Sequence, residues 1–128
     1  MKYLEAEEIL LIHHKLIERY GGSHGIRDIR RIKSVTLAPA LEAFGQEQYP
    51  NVFEKAAVYS RNIISDHPFL DGNKRTGMAA SVMFLKRNGY SFQAKKGELE
   101  NFAVQIAVDK PSIGEIATWF KTHSKKQN

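Results

Sequence analysis

Nine consecutive residues, His67-Pro68-Phe69-Leu70-Asp71-Gly72-Asn73-Lys74-Arg75, bring together a base, a carboxylate, a glycine, an amide and two cations. His67 has the chemistry of a general base that takes the proton of an attacking hydroxyl. Asp71 is a hard oxygen ligand suited to Mg²⁺, which is commonly held by very few carboxylates plus phosphate oxygens. Gly72 lets the backbone approach a ligand closely. Asn73 opens a helical pattern, where free N–H groups and the helix dipole favour an anion, and Lys74 and Arg75 add positive charge there. The segment reads as a phosphate cradle without a Walker sequence. Phe69, alternating with these polar residues, is expected to point into the core and pin the loop. Taken singly, a His before a Pro reads equally as a surface or capping residue, and Asp-Gly-Asn as a turn. The convergence of all the parts at one helix start is what points to chemistry.

These residues need two buried helices to hold them, and the flanking patterns supply both. Asn51 and Glu54 form a capping box for a helix with Phe53, Ala56, Ala57, Ser60, Ile63 and Ile64 inside, which Pro68 stops near Asp66. A second helix runs from Asn73 to Arg87, apolar almost all round, and ends at Asn88-Gly89. Upstream, Ile9, Ile12, Leu16 and Tyr20 form the stripe of a helix that ends at Gly21-Gly22. Asp28 caps the next helix, which stops before Ala38-Pro39. Pro39 to Pro50 is the least periodic part and reads as a partly ordered excursion or flap. Tyr90 to Ala94 reads as a short extended connector. Leu99, Phe102, Ala103, Ile106 and Ala107 mark a fifth helix, and Ser112 with Glu115 caps a sixth that buries Ile113, Ile116, Ala117 and Phe120. The expected fold is all-α, a compact bundle of about six helices. Residues 1–123 are expected to form one domain and 124–128 a frayed basic tail.

The chain has 128 residues, 42% hydrophobic and 26% charged, an ordinary globular composition for one core. Lys and Arg number 19 against 14 Asp and Glu, a net charge of +5 that favours anionic partners without choosing among them. No cysteine is present, which excludes disulfides and thiolate metal sites. The apolar run Ile9–Ile12 is too short for a signal-peptide core, and no segment approaches the ~18 apolar residues of a membrane span. The expectation is a soluble cytoplasmic protein. His13, His14, His24 and His123 have no ligand-like spacing with carboxylates and read as surface or capping residues. The basic stretch Arg27–Lys33 raises a second reading, a non-catalytic nucleic-acid-binding helical module. No helix-turn-helix, zinc-finger or RNA-recognition signature accompanies it, so nucleic acid ranks well behind a nucleotide.

The run His67 to Gly77 resembles the signature of the Fic/Doc superfamily, His-x-Phe-x-Asp/Glu-Gly/Ala-Asn-Gly/Lys-Arg, at every specified position. Gly25-Ile26-Arg27-Asp28, Tyr49-Pro50, Lys55-Ala56-Ala57, Phe84-Leu85 and Asn88-Gly89-Tyr90 resemble its Doc (death-on-curing) branch, so the likeness spans nearly the whole chain. The resemblance implies a helical bundle, ATP as substrate and Mg²⁺ as cofactor. It implies His67 as the base that deprotonates a target hydroxyl, Asp71 as the metal residue, and Gly72, Asn73, Lys74 and Arg75 as the phosphate-binding anion hole. Most of the superfamily moves AMP, with glycine after the motif Asn and a second arginine three residues past the first. Here those places hold Lys74 and Met78, the Doc pattern. That implies a kinase acting on a translation factor such as elongation factor Tu, with protein adenylyltransferase activity as the alternative. It also implies a toxin neutralised by a Phd-like antitoxin. No Ser or Thr stands four residues before any Glu, so an inhibitory Ser/Thr-x-x-x-Glu helix is not expected within this chain. The chain departs from the branch after Asp28. A basic run, Ile29-Arg30-Arg31-Ile32-Lys33, replaces a Gly-Leu-Leu-Glu type helix start, which leaves a different target surface or an inactive relative as further readings.

Overall fold

The computed structural model describes residues 1–127. Six α-helices carry the architecture: α1 (Ala6–Tyr20), α2 (Ile29–Leu37), α3 (Val52–Asp66), α4 (Asn73–Arg87), α5 (Glu98–Asp109) and α6 (Ile113–Thr122). Two small antiparallel ladders complete it, β1 (Glu42–Ala43) with β2 (Gln46–Glu47) and β3 (Tyr90–Phe92) with β4 (Ser124–Lys126). The all-α expectation of about six helices is met. The caps read from sequence are formed: Asp28 accepts from the Arg30 N–H, Asn51 from Glu54 and Ser112 from Glu115.

α3 and α4 are the central pair, and α3 also backs α6. Their close approach needs small residues. A Cβ on Gly77 would stand 3.1 Å from the Ile64 side chain and 3.2 Å from the Ser60 carbonyl. Around that crossing Ser60 donates to the Gly77 carbonyl and also bonds Ser81, so both serine hydroxyls stay satisfied. Ile63, Ile64, Ala80, Phe84 and Leu85 are fully or almost fully buried. The chain start is tied to the same core by the Tyr59 hydroxyl, which accepts from the Leu4 N–H at 3.0 Å. Burial pushes that phenol up to about 12, so it stays neutral.

Three expectations change. Ser124–Lys126, read as part of a frayed tail, is strand β4, with Tyr90 facing Lys126 and Phe92 facing Ser124. Its pairing partner is the connector read as extended, and Asn128 lies outside the described residues. The excursion after α2 is a 3-10 turn (Ala38–Ala40) followed by the β1–β2 hairpin. It is pinned from beneath by Lys55, a buried ammonium that donates to the Pro39 carbonyl at 3.0 Å and to Glu47 at 2.9 Å. Residues 25–28 lie against the motif loop, where Ile26 bridges Phe69 antiparallel. Finally, Tyr20 is more than half exposed, although it sits in the apolar stripe of α1.

Candidate active site

The loop between α3 and α4 is built around one buried ring. Phe69 is 1% exposed, and the His13 ring of α1 lies flat on it, with centroids 3.8 Å apart and planes 5° from parallel. His13 Nε2 also bonds the Asp71 carbonyl at 2.8 Å. A carbonyl can only accept, so His13 carries its proton on Nε2. Asn73 then clasps the loop: its Oδ1 accepts from the Phe69 N–H at 3.1 Å and its Nδ2 donates to the Phe69 carbonyl at 2.9 Å. The Asn73 amide is thereby occupied within the loop, and what it offers an anion is its backbone N–H.

Gly72 makes the turn into α4. Its φ of +78° is a conformation that favours glycine, and a Cβ there would meet Ile17 at 3.0 Å. The Thr76 N–H already reaches the Gly72 carbonyl, so the amides of Asn73, Lys74 and Arg75 are the helix-start donors without intrahelical partners. The Lys74 and Arg75 side chains are exposed beside them. The Arg75 guanidinium rests over the Tyr20 ring, 4.5 Å from its centroid, which explains why Tyr20 is at the surface.

Asp71 is exposed and held on both oxygens. Oδ2 accepts from the Ser23 N–H at 3.1 Å and Oδ1 from the Gly72 N–H at 2.8 Å. Gly22 permits the first of these bonds: its φ is +114°, and a Cβ would come 2.6 Å from Asp71 Oδ2. Each carboxylate oxygen keeps a lone pair, so the residue fits a hard cation. Among the described residues no group of three or more His, Cys, Asp and Glu could hold a metal ion. A Mg²⁺ at Asp71 would therefore complete its shell with phosphate oxygens and water.

His67 ends α3. Its backbone is left-handed, with φ 48° and ψ 58°. Histidine visits that region more often than most residues, yet a non-glycine there still costs about 1 kcal/mol or more. The side chain is exposed, and its ring has no protein hydrogen-bond partner among the described residues. His67, Phe69, Asp71, Gly72, Asn73, Lys74 and Arg75 all line one cleft of about 1220 Å³, floored by Met78 and walled by α1 and α5. Its size suits a nucleotide. The arrangement sets an unpartnered imidazole, an exposed carboxylate and a cationic helix start on a single cavity.

Sequence reasoning missed His13, which is 5% exposed rather than at the surface. Its spacing of four from both Ile9 and Ile17 was the available signal, since that places it on the buried face of α1. Burial holds His13 below the ordinary imidazole range, against the opposing pull of the Asp71 carbonyl. The unfolded chain protonates His13 near pH ~6.5, while the folded chain resists until lower pH. The unfolded state thus binds more protons in that window, and stability falls as pH drops through it. Urea unfolding of the wild type and His13→Gln between neutral and mildly acid pH should give a steeper acid loss in the wild type. Parallel curves would remove His13 from the account.

Comparison with known proteins places the chain. A family model described as "Fic/DOC family" matches residues 3–85, more than half of the chain. Protein kinase doc of Escherichia phage P1 is 30% identical over 117 residues, covering 91% of this chain and 91% of its own. Toxin Doc of Mycolicibacterium smegmatis is 31% identical over 117 residues, covering 91% of this chain and 82% of its own. No described helix is long and apolar enough to cross a membrane.

Proposed function

The chain belongs to the Fic/DOC family, and from that premise we propose that it is a Doc-like toxin that transfers the γ-phosphate of ATP to a hydroxyl of a target protein. The observation that carries this reading is the shared cleft, lined alike by His67, Asp71 and the start of α4. His67 takes the proton of the target hydroxyl, and the hydroxyl oxygen forms a bond to the γ-phosphorus. The bond from that phosphorus to the β–γ bridging oxygen breaks, and ADP leaves. The amides of Asn73, Lys74 and Arg75, with the two cationic side chains, hold the phosphate chain and take up its charge. Mg²⁺, held by Asp71, would neutralise phosphate charge when bound.

Two residues favour phosphate over AMP transfer. Lys74 adds a cation at the first turn of α4, where glycine would leave space. Met78, 2% exposed, puts an apolar floor where a second arginine would grip another phosphate. A nucleotide seated over Lys74 and Met78 presents its outermost phosphate, not its innermost, to His67.

Lys74→Ala should weaken ATP binding by about 10-fold, the worth of one charge-assisted hydrogen bond. Calorimetric titration with ATP and Mg²⁺ reads it, and unchanged affinity would remove Lys74 from the anion hole. The target class follows the branch: a translation factor such as elongation factor Tu, with a Phd-like antitoxin as the neutralising partner. The names of the two relatives, a kinase and a toxin, support phosphate transfer and a neutralising antitoxin, and they name no target. The test is label transfer from ATP to purified elongation factor Tu. No label on the factor would reject this target.

A further inference from the structure

His67 is gripped on both sides by the segment that precedes and opens α2. On its N-terminal side the Asp66 carbonyl, the last of α3, accepts from Arg31 Nη1 at 2.6 Å. On its C-terminal side the Pro68 carbonyl accepts from the Arg27 N–H at 2.8 Å and the Asp28 N–H at 3.2 Å. Two residues further, the Leu70 N–H donates to the Gly25 carbonyl at 3.2 Å. Among these bonds only that of Arg31 comes from a side chain. Its guanidinium is aimed by Asp28, whose Oδ2 lies 3.6 Å from Arg31 Nε, and Asp28 is itself fixed as the cap of α2.

This grip opposes a real local preference. A residue before proline favours extended backbone, and His67 precedes Pro68. Instead it is left-handed. Freed of its neighbours it would relax toward the extended region, and the imidazole would swing away from the position the cleft gives it. The Asp66 carbonyl is the hinge of that rotation, because a terminal helix carbonyl has no intrahelical donor to hold it.

We propose that Arg31 is a positioning residue for His67, locking the Asp66–His67 peptide so that the imidazole faces the cleft. It rests on the base role given to His67 above. Arg31→Met keeps the aliphatic stem and deletes the donor. It should lower kcat for phosphate transfer to elongation factor Tu by about 10- to 100-fold, the cost of displacing a reacting group by about an ångström. KM for ATP should stay the same, because the start of α4 is untouched. Arg31→Lys, with a single donor able to reach the carbonyl, should recover part of the rate. Independently of turnover, the ¹³Cα and ¹³Cβ shifts of His67 should move from left-handed toward extended values in Arg31→Met, while the Lys74 and Arg75 amide signals stay in place. A folded Arg31→Met with wild-type kcat and wild-type His67 shifts overturns the proposal. Loss of the fold also overturns it, since Arg31 would then hold the bundle and not the base. Absence of transfer by the wild type would instead reject the transferase reading, and the His67 shifts would still report on Arg31.

Discussion

His67→Ala should reduce phosphate transfer by about 10²- to 10⁴-fold, the range for removing a general acid or base. ATP affinity should hardly change, because the groups proposed to hold phosphate are the unpaired amides at the start of α4 and not His67. The loss should therefore appear in kcat. It should also appear in cells: expression of the wild type should arrest growth, and His67→Ala should not. Equal growth of the two, or equal rates in the purified reaction, would exclude His67 as the base. The variant should fold normally, since the ring is exposed and bonds nothing else among the described residues. Alanine disfavours the left-handed backbone more than histidine does, so melting curves should accompany the rates.

The second large effect concerns stability. Phe69→Ala should cost about 3–5 kcal/mol, the usual range for deleting a fully buried Phe side chain. The ring is the common seat of the loop: His13 stacks on it, Asn73 clasps its backbone, and Ile26 bridges it. Removing it leaves a cavity, strips His13 of its stacking partner and loosens Asp71 through the His13 bond to its carbonyl. Urea unfolding measures the cost. A change below about 1 kcal/mol would mean that the ring is not the seat of the loop.

Much of this was legible because it is local. The capping boxes at Asn51 and Ser112 and the break at Pro68 depend on residues within three or four positions of one another. The motif itself is nine residues long, so its members were found together. What stayed hidden depends on distant partners. His13 is buried by Phe69 and Asp71, 56 and 58 positions away in the chain. Tyr20 fits the apolar stripe of α1 in spacing, yet it is drawn out to the guanidinium of Arg75. Ser124–Lys126 looks like a polar tail until the edge of Tyr90–Phe92 offers it backbone partners. The place of Asn73 at a helix start offers its backbone N–H to an anion, while the part its side-chain amide plays, closing the loop on Phe69, depends on the loop's folded shape. Gly21-Gly22 read only as a helix stop, and the fold also uses Gly22 to admit the Asp71 carboxylate.

The central claim is that the cleft of His67, Asp71 and the α4 start moves the outer phosphate of ATP. Parallel reactions with elongation factor Tu, one with ATP labelled at the α-phosphate and one at the γ-phosphate, test it most directly. The account predicts label on the factor from γ alone, abolished by His67→Ala. Label from α and not from γ would contradict it and make the chain an AMP transferase.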